Sequence, residues 1–246
     1  MEVHAHSHTE RKRWYHYLWE FLMLFLAVFC GFLAENQREH MVEHQREKQY
    51  VQSLVADLKA DQQSLSDHIT DVKTGIAMMD SLIRILSSSA GAAANSGELY
   101  YLARVAPRLM PLTINSRTYE QLKNSGNFRL IRNLESSNKI MTYYEKVPLI
   151  RLLESINETE FTEFKKVASK ILDPIVLVNM EGGKFAVNRI TGNPPLRNID
   201  HELLQEFSVF AVYMHGTKKG VATAAEDLKS EGAVLLEYLQ KEYNLK

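Results

Sequence analysis

Residues 21–34 read FLMLFLAVFCGFLA, fourteen positions that carry no charge, and Trp14, Tyr15, Tyr17, Leu18 and Trp19 extend the run backwards. From Trp14 to Ala34 an α-helix covers about 31 Å at about 1.5 Å per residue, which matches a bilayer hydrocarbon core of about 30 Å. The aromatic cluster at the first end suits the lipid headgroup level, and Arg11, Lys12 and Arg13 stand just outside it. The rest of the chain is therefore organised relative to a membrane. Residues 1–12 form a basic, His-containing tail, 13–35 a transmembrane helix, 36–89 a long stalk helix and 98–246 a separate helical domain.

A cleaved signal peptide is the main rival, because a basic start and a short apolar core fit one. Cleavage after Ala34 would place Phe32 at the minus-three position, where a small residue is wanted, and a lipoprotein site at Cys30 is preceded by the bulky Phe29. The sequence therefore favours a retained anchor. Lys and Arg are balanced around it, with Arg11, Lys12 and Arg13 before and Arg38, Arg46 and Lys48 after. A long domain translocates despite such a tie, while a short basic tail is retained. The expectation is an inner-membrane, bitopic protein with its N-terminus in the cytoplasm and its C-terminal domain in the periplasm.

Of the 246 residues 24% are charged and the net charge is −1, which gives no argument for nucleic acid as a partner. Only 11 Gly and 6 Pro are present, a helix-rich usage. The single cysteine, Cys30, excludes an intrachain disulfide framework and a Cys-based zinc site.

After the span the chain turns charged with no Gly or Pro over residues 36–48, so the helix is expected to continue. Val51, Leu54, Leu58, Leu65, Ile69, Val72, Ile76, Met79, Ile83 and Leu86 then recur at spacings of three, four or seven, a coiled-coil-like stripe with an irregularity near Leu65. Residues 87–97 (SSSAGAAANSG) read as a linker. Leu204, Phe207, Ala211, Met214, Val221, Ala225, Leu228, Leu235 and Leu239 repeat the signal over residues 200–243, so two long helices can pack on each other. Between them, residues 116–125 form a short helix ended by Gly126, and 134–172 a longer one interrupted at Pro148. Residues 175–179 and 184–189, around Gly182 and Gly183, are the one place for strands, a small β-hairpin. The predicted fold is all-α apart from that hairpin.

The segments HAHSHT, YLWEFLMLFLAVFCGFLAENQREH and QREKQYVQSLVADL resemble a group of small single-span membrane proteins of Bacteroidota, and TYEQLKNSGNFRLIRN with IMTYYEKV is similar to a motif in related domains of unknown function in those bacteria. The resemblance covers about a third of the chain. It implies an inner-membrane protein with a periplasmic helical domain, and brings no activity, substrate or catalytic residue.

Three constellations can carry chemistry. Glu20 lies inside the apolar helix, where an ionised carboxylate costs about 2.5–3.5 kcal/mol if central. His16, one turn earlier, shares its face and is its expected intrachain partner. That face continues through Leu24, Ala27, Gly31 and Ala34, and the small residues allow close helix approach. It supports an oligomer seam, with a proton or ion path as the sharper alternative, and the stripe from Val51 to Leu86 is expected to join Ala27 and Gly31 in self-association. His4, His6 and His8 are weak metal candidates, because alternate histidines can converge on a transition metal but no acidic or Cys ligand fixes the geometry. His40, Glu43 and His44 spell the H-x-x-E-H string of inverted zincin proteases, yet they stand in a charge-rich stretch beside the span that reads as a solvated stalk. Tyr119, Phe128, Tyr143 and Tyr144 read as core rather than as a cofactor box. The sequence shows no phosphate-binding Gly loop, nucleophile elbow or C-x-x-C pair.

The sequence therefore points to a membrane-anchored structural or interaction protein with no catalytic activity and no cofactor. Its expected partners are the lipid bilayer, further copies of itself and other inner-membrane proteins. The alternatives are a sensor or ligand-binding ectodomain, and a small channel or accessory subunit built on Glu20.

Overall fold

A computed structural model describes residues 14–245 of the protein. By compactness the chain divides into two units, Met1–Gln49 and Tyr50–Lys246. Within the first, the described residues belong to helix α1 (Trp14–Leu86), which is uninterrupted because residues 14–74 contain neither Gly nor Pro apart from Gly31. Residues 14–40 are all exposed, and the Phe21, Phe25 and Phe29 rings stack one turn apart at 6.3 and 5.8 Å. Among the described residues, one helix is long and apolar enough to cross a membrane, and none of its apolar window is buried by the chain itself.

The second unit is built from the C-terminal part of α1, the short α2 (Ser89–Ala94), α3 (Ser96–Val105) and α4 (Arg117–Asn124), the long α5 (Leu134–Ile171), the short α6 (Pro174–Asn179) and the long α7 (His201–Glu242). α7 begins where Asp200 accepts a hydrogen bond from the Leu203 N–H, and α5 where Asn133 accepts one from Ser136. Gly126 supplies the left-handed turn, φ 67°, that follows α4. Pro148 lies inside α5 without breaking it. It faces solvent, and the fully buried Tyr143 and Ile150 on either side keep both halves in register against the core.

Two apolar clusters hold this unit together. In the first, Leu54, Leu58 and Leu65 of α1 meet Ile140 and Tyr143 of α5 and Val221, Leu228 and Leu235 of α7. In the second, Met79, Leu82 and Leu86 of α1 meet Tyr100 of α3, Phe164 and Ile171 of α5 and Phe207 and Met214 of α7. The periodic stripe of α1 is thus buried against α5 and α7 of the same chain.

Three expectations from sequence are corrected, the first being the interruption at Pro148, since α5 runs through it. The 87–97 stretch is helical rather than a linker: Ser88 caps α2, Ala92 is fully buried, and Gly97 lets α3 approach the Gly192 carbonyl so closely that a Cβ there would stand 2.2 Å from its oxygen. The β-hairpin over 175–189 is absent. Asp173 accepts from the Ile175 N–H and Pro174 occupies the first helical turn, so the run PIVLVN winds into α6 despite its β-branched residues. Among the described residues there is no strand, and a lone antiparallel bridge between Glu181 and Val187 is what remains of the pairing.

Candidate functional site

The first candidate face lies on α1. His16, Glu20, Leu24, Ala27, Gly31 and Ala34 are all exposed, and a Cβ added at Gly31 would meet nothing within 4 Å. The His16 ring packs beside Tyr15, centroids 4.7 Å apart, and Glu20 is itself engaged in an interaction. The face is thus open to approach by another helix. Further along α1, Arg38 pairs with Glu35 at 2.5 Å and His44 Nδ1 lies 3.4 Å from Glu47 Oε2. Among the described residues no group of three or more His, Cys, Asp or Glu side chains is placed to hold a metal ion. His4, His6 and His8 lie outside the described residues.

The second candidate was not foreseen. Residues 106–116 (APRLMPLTINS) carry two prolines, are not helical, and link α3 to α4 with Ala106, Pro107, Leu112 and Ile114 buried and Arg108, Met110, Pro111 and Thr113 exposed. Buried backbone outside helices needs partners, and side chains from all three long helices supply them. Asn157 of α5 donates to the Pro107 carbonyl at 3.3 Å, and Lys218 of α7 to the Arg108 carbonyl at 2.7 Å. His68 of α1 hydrogen-bonds the Met110 backbone, and Glu154 of α5 accepts from the Leu112 N–H at 2.6 Å. His68 Nε2 and Glu154 Oε1 stand 3.9 Å apart. Lys218 is fully buried, Asn157 and His68 nearly so.

Burial biases these groups toward their neutral forms. It pushes the Lys218 ammonium down from 10.5 to about 8. It also lowers His68, with Asp71 opposing the shift and Lys218 adding to it, and it raises Glu154 against the pull of the Leu112 N–H.

Nearby, three stretches of the second unit come together, around Asp57 and Asp61, around Asn115 to Tyr119, and around Tyr143 and Tyr144. Thr118 donates to Asp57 Oδ2 at 2.5 Å, and Asn115 bonds Asp61 Oδ1 through its backbone N–H and its side-chain amide at 2.8 and 2.9 Å. Tyr144 donates to the Asn115 carbonyl at 3.2 Å and stacks on Tyr119 at 4.3 Å, while Tyr143 reaches Asp61 Oδ2 at 3.5 Å. Asp61 is fully buried, and burial raises its carboxyl, offset by the two Asn115 bonds. Tyr119, Tyr143 and Tyr144 are buried and Phe128 partly so, the core role expected for them.

Comparison with family models, curated proteins and solved structures finds no match to this chain. Its geometry must speak for it. Most of these polar side chains bond the backbone of residues 107–115, so they fix the connection between α3 and α4.

A signal for these residues existed in the heptad stripes. Apolar positions skip from Leu58 to Leu65, from Met214 to Val221 and from Leu228 to Leu235; the skipped places hold Asp61, Lys218 and Gly232. All three are buried, so the gaps mark polar or close-approach positions inside the core rather than solvent-facing ones.

Proposed function

We propose that this protein is a membrane-anchored interaction protein: α1 crosses the bacterial inner membrane through residues 14–34, the unit from Tyr50 onward stands on the periplasmic side, and copies associate through the span. The observation that supports it is the unbroken exposure of large apolar side chains on the first unit. Trp14, Phe21, Leu24, Val28 and Phe32 are each 66–76% exposed, whereas soluble monomers rarely expose apolar patches beyond a few hundred Å². Lipid and neighbouring helices are the surroundings that remove this surface from water. Small residues at Ala27, Gly31 and Ala34 offer backbone approach, with Glu20 a hydrogen-bonding group within the same seam.

The α1 stripe from Val51 to Leu86 is taken up inside the chain's own core, so self-association rests on the span. Gly31→Leu is expected to convert the detergent-solubilised oligomer to monomer in mass photometry, with the unfolding curve of the Tyr50–Lys246 unit unchanged. Glu20→Gln keeps the hydrogen-bonding shape and is expected to leave the oligomer intact. A Glu20-dependent proton or cation flux in proteoliposomes would instead establish the channel reading. The ligand-binding alternative is favoured by one specific feature of the second unit, the cavity described next.

A further inference from the structure

A cavity of about 400 Å³ opens between α3, α5 and α6. Its floor is apolar: Phe161, Phe164, Leu172 and Leu177 line it, and Phe164 is fully buried against Phe207 at 4.4 Å between ring centroids. One wall is α6, which buries none of its residues. That wall is instead fixed by hydrogen bonds at its two ends. The Asp173 N–H donates to the Tyr100 hydroxyl at 2.8 Å, and Arg104 Nη1 donates to the Leu177 carbonyl at 2.6 Å. The cavity is therefore preformed rather than a gap between loosely placed segments.

Its mouth is charged and unbalanced. Arg104, Arg108 and Lys165 line it against the single carboxylate of Glu181. Lys165 Nζ sits 4.6 Å from the centre of the Phe161 ring, which places an ammonium directly beside the apolar floor. Arg104 gives one N–H to the Leu177 carbonyl and keeps further donors, and the exposed Lys165 ammonium stands beside the floor, so an anionic head can be held there, whereas a small inorganic anion would leave the phenylalanine floor unfilled. A chain with an anionic end satisfies both, the tail on the floor and the head against Arg104 and Lys165. The volume is near the lower end for small-molecule sites, which admits one medium-length chain and excludes a two-chain lipid.

We propose that this cavity binds a single-chain fatty carboxylate. The inference stands on the cavity alone and holds whether or not the span self-associates.

The test uses the full chain in nanodiscs and a diazirine-bearing dodecanoate, with cross-linked peptides mapped by mass spectrometry so that partition into the lipid is separated from binding at the site. Label is expected on the peptides spanning residues 161–178, displaced by decanoate and not by decan-1-ol at equal concentration. Lys165→Glu is expected to reduce that label at least ten-fold, and Ala168→Phe, which fills the cavity and keeps its charges, to abolish it. Labelling confined to the span, or equal displacement by decan-1-ol, overturns the proposal without any variant having to fold. Displacement by a lysophospholipid at lower concentration than decanoate also overturns it, in favour of a phosphate head. Label that persists in a folded Ala168→Phe protein places the probe elsewhere and overturns it too.

Discussion

Lys218 sits fully buried where a polar residue interrupts the apolar stripe of α7, and the bond it makes to the Arg108 carbonyl does not need the charge. Its pKa falls from 10.5 to about 8, so folding disfavours the ammonium by roughly 3 kcal/mol. Between about pH 8 and 10.5 the unfolded chain holds this proton and the folded chain does not, and stability rises with pH across that window; below about 8 both hold it and the full penalty is present. Tyr143, Tyr144 and Tyr100, all raised by burial, act in the opposite direction at higher pH. The comparison with Lys218→Met cancels them. Urea unfolding at pH 7.5 and 9.5 is expected to show the wild type gaining stability over the Lys218→Met variant, by up to about 3 kcal/mol over the complete window. A flat difference would mean that Lys218 is solvated. The same variant removes a cation that depresses His68, so the His68 ring titration followed by NMR is expected to move upward.

Two glycines of α7 separate packing from helix propensity. At Gly232 an added Cβ would stand 2.9 Å from the Tyr143 ring and 2.7 Å from Gln62 Nε2; at Gly216 it would meet nothing within 4 Å. Gly216→Ala is expected to stabilise the protein by about 0.5–1 kcal/mol through propensity alone. Gly232→Ala gains the same propensity but forces the buried Tyr143 to shift, an overpacking cost of about 1–3 kcal/mol, so its net effect is expected to be a loss in thermal unfolding. The contrast also shows what was legible. The stripe over residues 200–243 bounded α7, His201–Glu242, within a residue at each end, because an apolar period is a local signal. The β-branched run of α6 resembles a strand although the Asp173-Pro174 start winds it into a helix, and the small residues of α2 resemble a linker although Ala92 packs in the core. The polar seam was illegible as a site: His68, Glu154 and Lys218 come from three helices and are joined by the backbone of a fourth segment, a relation that no single period carries.

The membrane reading has a probe built into the chain, since Cys30 is its single cysteine and is exposed on α1 within the apolar run. Were the protein water-soluble as it stands, an exposed thiol would react readily with a polar maleimide, because the reagent is attacked by a thiolate in water. In a bilayer that thiol lies about 6 Å inside the Ala34 end of the roughly 30 Å span, still within hydrocarbon, where a charged reagent does not partition. Met41, 61% exposed on the same helix, stands seven residues past the last apolar position of the run. A membrane-impermeant maleimide added to intact membranes is therefore expected to leave Cys30 unlabelled and to label the Cys30→Ser, Met41→Cys variant. Added to spheroplasts, it is expected to label that variant from outside, because the proposed orientation puts residue 41 on the periplasmic side. Ready labelling of Cys30 in intact membranes would remove the anchor and the span-mediated oligomer together. Labelling of Met41→Cys after lysis and not before would keep the anchor and invert its orientation, placing the helical unit in the cytoplasm.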